Sequence, residues 1–199
     1  MLNIMLQLWG GTFYLFNKLF FSKAERAVNQ RHRQKWRLRA WTAYLVGLPP
    51  WVFIFISERN WIAAAVESGG VPAMLIGLIA ARQDHTQLHE YVWLDHLAKL
   101  MILIGLGLSL YEFNGLATLN QFLELGIAAG FLMGTYLLAK SNPQGYFWLK
   151  AGNISAALLM MRQGYFLLMA QQVISLSLVI DAYRVQRRKV IRATHEKQS

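Results

Sequence analysis

Residues 118–140 read TLNQFLELGIAAGFLMGTYLLAK. After SNPQG at 141–145 come YFWLKAGNISAALLMMR at 146–162 and YFLLMAQQVISLSLVIDAYR at 165–184. The joins are too short for anything but tight turns, so the three runs predict an up-down-up helical unit. At ~1.5 Å rise per residue each run is about long enough for a ~30 Å hydrocarbon core. Asn120, Glu124, Asn153, Gln171 and Gln172 interrupt these runs. Polar groups at membrane depth are costly to leave in lipid, so they are expected to face a partner or a substrate path.

Composition agrees. Of 199 residues, 55% are hydrophobic and only 15% charged, with a mean hydropathy of +0.30. A soluble domain of this size cannot hide that much apolar surface. The absence of cysteine excludes disulfides, thiolate metal sites and a cysteine nucleophile. The net charge of +10 raises nucleic acid as a partner. Its clustering beside apolar runs fits an anionic membrane face instead, so membrane lipid and not nucleic acid is expected. The N-terminus lacks a basic n-region and a small-residue cleavage site, and no cleavable leader is expected.

Outward from the deciding stretch, residues 1–21 are apolar, with Asn3, Gln7, Tyr14 and Asn17 on one helical stripe. Such a helix either lies in the interface or spans with its stripe turned inward. Residues 22–40 form a basic connector. Residues 41–57 form a further span, which Pro49 and Pro50 should kink. The span at 61–82 carries Glu67, Gly69, Gly70 and Pro72, a second weak point beside a carboxyl group. His85 and His89 have the spacing of a helical chelate, but in a polar loop they read as solvated and no metal is expected. The span at 94–113 opens with Asp95 and Lys99, an i, i+4 ion pair. Residues 185–199 read as a basic cytoplasmic tail, and Asp181 beside it reads as solvated.

The first half echoes the second. Residues 2–8 and 119–125 share leucines at three positions and an asparagine, with Gln7 opposite Glu124. Each block is followed by Gly-Thr-aromatic, at Gly11-Thr12-Phe13 and Gly134-Thr135-Tyr136. The expected fold is therefore an all-α integral membrane protein of about seven transmembrane helices in a 3+1+3 order. Its units are a first three-helix repeat at 1–82, a linker helix at 94–113 and a second repeat at 118–184. Six spans result if residues 1–21 are interfacial. An odd linking helix makes the two copies parallel. All Lys and Arg except Arg59 and Arg162 then lie on or near one side, which the positive-inside rule assigns to the cytoplasm along with the C-terminus. An inner (plasma) membrane location follows as the expectation.

The C-terminal half resembles the PnuC-type vitamin transporters, which share the 3+1+3 architecture with the SWEET sugar transporters. The resemblance lies in Tyr146-Phe147-Trp148, Asn153-Ile154-Ser155, and Gly164-Tyr165 leading to Gln171-Gln172 and then Asp181-Ala182-Tyr183. It implies passive uptake of an unphosphorylated vitamin or nucleoside, typically nicotinamide riboside, trapped by a cytoplasmic kinase. Two alternatives stay open: a SWEET-like sugar transporter, and a membrane structural or assembly protein without transport. No Ser/His/Asp set, paired carboxylates or histidine cluster converges, so neither an enzyme nor a cofactor is expected.

A flat heteroaromatic ligand needs aromatic faces, for which Trp148, Trp51 and Tyr44 are the candidates. Ribose hydroxyls need donors and acceptors, which Asn153, Gln171 and Gln172 supply. Glu67 or Glu124 would balance a cationic ring. Gly126, Gly130 and Gly134 form a small-residue stripe, suited to close packing within the bundle or across a homo-oligomer.

Overall fold

The structure, a computed structural model, describes residues 2–82, 91–112 and 118–196. Among them all regular structure is helical: α1 Leu2–Arg26, α2 Gln30–Ser57, α3 Trp61–Gly69, α4 Val71–Arg82, α5 Val92–Glu112, α6 Leu119–Ala139, α7 Gln144–Arg162 and α8 Phe166–Glu196. Among the described residues, four helical stretches are long and apolar enough to cross a membrane: Gln30–Ser57, Ala63–Arg82, Val92–Tyr111 and Leu119–Ala139. The chain is compatible with a multi-pass membrane protein. His85 and His89 lie outside the described residues.

Neighbouring helices form a closed ring, running α1, α2, the α3–α4 pair, α6, α7, α8 and back to α1. Helix α5 packs outside it, against α3, α4 and α6. Exchanging α1, α2 and α3–α4 with α6, α7 and α8 keeps the neighbours around the ring but not those of α5, which touches α3, α4 and α6 and, among the described residues, neither α8 nor α1. Outer faces stay apolar and exposed, as with Leu8 and Phe16 on α1, Leu100 and Leu103 on α5, and Ile154 and Leu158 on α7. In water so much exposed apolar surface would drive association, whereas in lipid it needs no cover.

The basic connector departs from its sequence reading. Residues 22–26 continue α1, and α2 already begins at Gln30, leaving only 27–29 outside helix. Lys, Arg and Gln are good helix formers, so a basic composition marks solvation and not coil. The turn is fixed by Asn29, whose side chain accepts from the Arg31 N–H at 2.9 Å. The tail departs in the same way. Helix α8 runs on to Glu196, and Lys189 Nζ donates to the Ala27 carbonyl at 3.0 Å, satisfying an acceptor just past the end of α1.

Helix α2 passes through Pro49 and Pro50 without a break in its assignment, although both prolines withdraw an N–H from the ladder. The expected weak point near Gly69 and Gly70 is a real break. The Gly70 N–H turns to the Glu67 carbonyl at 3.3 Å, and the Met74 N–H resumes the ladder on Gly70 at 3.0 Å. Pro72 sits in the first turn of α4, where its missing N–H removes no helical bond.

Two contacts fix the packing. Trp41 on α2 is buried edge-on to Phe21 at 5.0 Å and fills the space beside Gly77 on α4, where an added Cβ would lie 2.2 Å from the indole. The glycine stripe of α6 serves the bundle itself: Gly130 faces Gly152 of α7 backbone to backbone, and Gly134 faces Leu149 and Gly145. The Asp95–Lys99 pair forms at 2.9 Å, and Asp95 also binds Lys140 at 2.8 Å and the Tyr136 hydroxyl at 2.8 Å. Its own hydrogen bond to Asp95 holds the Lys140 ammonium above its ordinary pKa.

Candidate functional site

The interior polar groups gather at two depths. The deeper cluster surrounds Tyr44 of α2. Tyr14 of α1 meets it edge-on at 5.0 Å, Lys18 places its ammonium 5.2 Å from its ring centroid, and Trp41 stacks beside it at 6.5 Å. The Tyr44 hydroxyl lies 3.4 Å from Thr135 Oγ1 on α6. The Tyr14 hydroxyl donates a short hydrogen bond to the Glu67 carboxylate. Tyr44, Glu67 and Thr135 line a cavity of about 40 Å³ with Met74, Ile127 and Phe131.

The break at Gly70 explains how Glu67 reaches this place. It sits on the last turn of α3, where the helix yields, so its carboxylate meets a tyrosine from α1. Helix α1 turns its polar stripe inward: Asn17 is wholly buried and donates to the Ala40 carbonyl at 3.0 Å. Lys18 is 7% exposed, a buried cation whose described neighbour is an aromatic face.

Of the residues expected in the site, Tyr44 and Glu67 come together. Trp51 and Gln171 stand one step further along α1. The Trp51 ring packs on Gly10 and lies 6.4 Å from Tyr14. The Gln171 amide donates to the Gly11 carbonyl at 3.4 Å. The Trp51 indole N–H is buried without an acceptor among the described residues. Asn153 is wholly buried on α7, where it donates to the Leu149 carbonyl of its own helix at 2.6 Å while its Oδ1 has no donor among the described residues. Trp148 lines a separate groove between α7 and α8. Gln172 and Glu124 are half-buried and do not line the Tyr44 cavity.

The second cluster closes the basic end of the bundle. Glu25, 2% exposed, binds Arg33 at 2.8 Å and accepts from the Tyr146 hydroxyl at 3.2 Å. Arg37 donates to Ser141 Oγ at 3.0 Å and to the Leu138 carbonyl at 2.8 Å. Asp181 is not simply solvated: it accepts from Ser22 at 2.5 Å and from Arg26 at 2.6 and 3.2 Å. This pairing raises the Arg26 pKa, the hydrogen bond first and the charge of Asp181 second. Except for Glu25–Arg33, these bonds join α1 or α2 to the segment 138–181.

Tyr14, Lys18, Thr135, Glu25 and Arg37 are the residues that sequence reasoning did not place in a site. The polar stripe on residues 1–21 included Tyr14, without deciding which way it faces. Nothing local marked Glu25, whose partner Tyr146 lies across the bundle. No protein-family model, no curated protein and no solved structure matches this chain.

Proposed function

We propose that the chain is a multi-pass inner-membrane transporter, with its C-terminus cytoplasmic, that facilitates uptake of an unphosphorylated vitamin or nucleoside. Nicotinamide riboside is the first candidate substrate. The observation that carries this reading is Glu67, a carboxylate held by Tyr14 beside the Tyr44 ring and against a cavity. A cationic heteroaromatic ring would exchange the tyrosine hydroxyl for a full countercharge and gain a π-face. The Trp51 N–H and the Gln171 amide lie along the same side of α1 and suit the ribose. In this reading the Glu25–Tyr146, Arg37–Leu138 and Asp181–Arg26 bonds form a latch on the cytoplasmic side.

One observation favours a second reading, a membrane assembly protein without transport. The cavity of about 40 Å³ falls well short of the ~300 Å³ at which ligand pockets begin. Transport therefore requires α3 and α6 to separate around Glu67. The test is uptake of labelled nicotinamide riboside into proteoliposomes, with thermal stabilisation by nicotinamide riboside, thiamine, riboflavin, nucleosides and sugars. A charge-assisted bond contributes ~1.5–3 kcal/mol, so Glu67→Gln should lower substrate affinity roughly tenfold to a hundredfold. Uptake unchanged in Glu67→Gln would remove Glu67 from the site. A folded wild-type protein that no member of the panel stabilises would leave the assembly reading standing.

A further inference from the structure

We propose that the groove between α7 and α8 at the basic end is a binding site for one anionic phospholipid. It rests on the reading that this end lies at a membrane surface, and it is independent of whether the chain transports anything. The groove holds about 410 Å³ and is walled by Phe147, Trp148, Tyr183 and Arg187, with Pro143 and Gln144 at its foot. Lys150 stands beside two of these walls, its ammonium 4.1 Å from the Tyr183 ring centroid and 5.5 Å from that of Phe147.

Three features select the occupant. Lys150 and Arg187 have no carboxylate partner among the described residues, whereas Arg26, Arg33, Lys99 and Lys140 each have one. One cation over two aromatic rings and a second in the groove wall suit a phosphodiester, with the rings flanking the glycerol region as interfacial aromatics do. A continuous apolar path then leaves the groove along one face of α7. Phe147, Ile154, Leu158 and Met161 recur at helical spacing and are 59%, 47%, 42% and 49% exposed. A headgroup at Lys150 and Arg187 therefore continues naturally into an acyl chain laid on this stripe.

The test uses the full chain, delipidated in detergent and titrated with phosphatidylglycerol or phosphatidylcholine, with bound lipid read by native mass spectrometry. Phosphatidylglycerol is expected to bind in preference, one per chain. The double variant Lys150→Gln/Arg187→Gln should bind it roughly thirtyfold more weakly, at the usual strength of attraction per basic residue near an anionic surface. The charge-preserving Lys150→Arg/Arg187→Lys variant reports on folding and should retain binding. Arg31→Gln/Lys35→Gln removes equal charge from exposed residues at the same end and should also retain it. Equal binding of the two lipids, undiminished binding in the Gln pair, or an equal loss in the Arg31/Lys35 pair would overturn the site. Displacement by inorganic phosphate would assign the groove to a free anion and overturn the lipid. Uptake assays play no part, so failure here and failure of the transport reading are separable.

Discussion

Gly130→Ala should separate α6 from α7 and produce the largest loss of stability of any Gly→Ala change among the described residues. The added Cβ would lie 2.4 Å from the Gly152 Cα, 2.5 Å from its nitrogen and 2.9 Å from the Trp148 carbonyl oxygen. All three are backbone atoms, so no rotamer change relieves the clash and the helices themselves must part. Overpacking typically costs ~1–3 kcal/mol, and a backbone contact belongs at or above the top of that range. Two controls come from the same fold. Gly126→Ala meets only the Ser155 side chain, at 2.5 Å from its hydroxyl, which can rotate, so about 1 kcal/mol or less is expected. Gly107→Ala on α5 meets nothing within 4 Å and should stabilise by roughly 0.5–1 kcal/mol through helix propensity. Denaturant unfolding in detergent decides. A Gly130→Ala protein as stable as Gly107→Ala would sink the close-packed seam.

Glu25→Ala should be the second large effect. It leaves the Tyr146 hydroxyl buried without an acceptor and Arg33 without its counterion. Removing one member of a buried pair typically costs ~3–5 kcal/mol. The Arg33 side chain is 29% exposed, so water recovers part of that and roughly 2–3 kcal/mol is expected. Adding Arg33→Met to Glu25→Ala should restore some stability, because the stranded cation is then gone. A double variant that loses the sum of the two single losses would show that the pair is not coupled. The same network has a functional readout. With no native cysteine, Thr135→Cys introduces a single reporter at the cavity. In the transporter reading Glu25→Gln or Asp181→Asn loosens the latch, and the cysteine should react faster with a charged thiol reagent added on the basic side. Unchanged labelling in both would show that these bonds do not control access.

Much of the fold was readable along the chain because its signals are local. Apolar runs bounded by Asn60, by Thr118 and by Ser-Asn-Pro-Gln-Gly predicted helix limits close to those observed. Thr118 forms a full capping box with Gln121. The break at Gly70 and the Asp95–Lys99 pair were equally legible, since each depends on residues at most four apart. The basic connector was misread because charge density records hydration, while helix formation depends on side chains that Lys, Arg and Gln supply well. Among the residues expected in the site, Glu67 was marked as a carboxyl group beside the glycine-proline weak point and Tyr44 as an aromatic face.

What the sequence determined by itself is the class: an all-helical chain with apolar runs, clustered basic residues and a polar stripe on its first helix. Hydropathy, helical period and turn residues set these within single elements. Only the tertiary structure decided which polar groups share a place. Tyr14 meets Glu67 across 53 positions and Tyr146 meets Glu25 across 121, while Trp148 and Asn153, five residues apart, go to different surroundings. Such pairings depend on which helices become neighbours and on how closely Gly130 and Gly152, or Gly77 and Trp41, let them approach. That choice is made by packing between distant segments, for which no short stretch of sequence carries the signal.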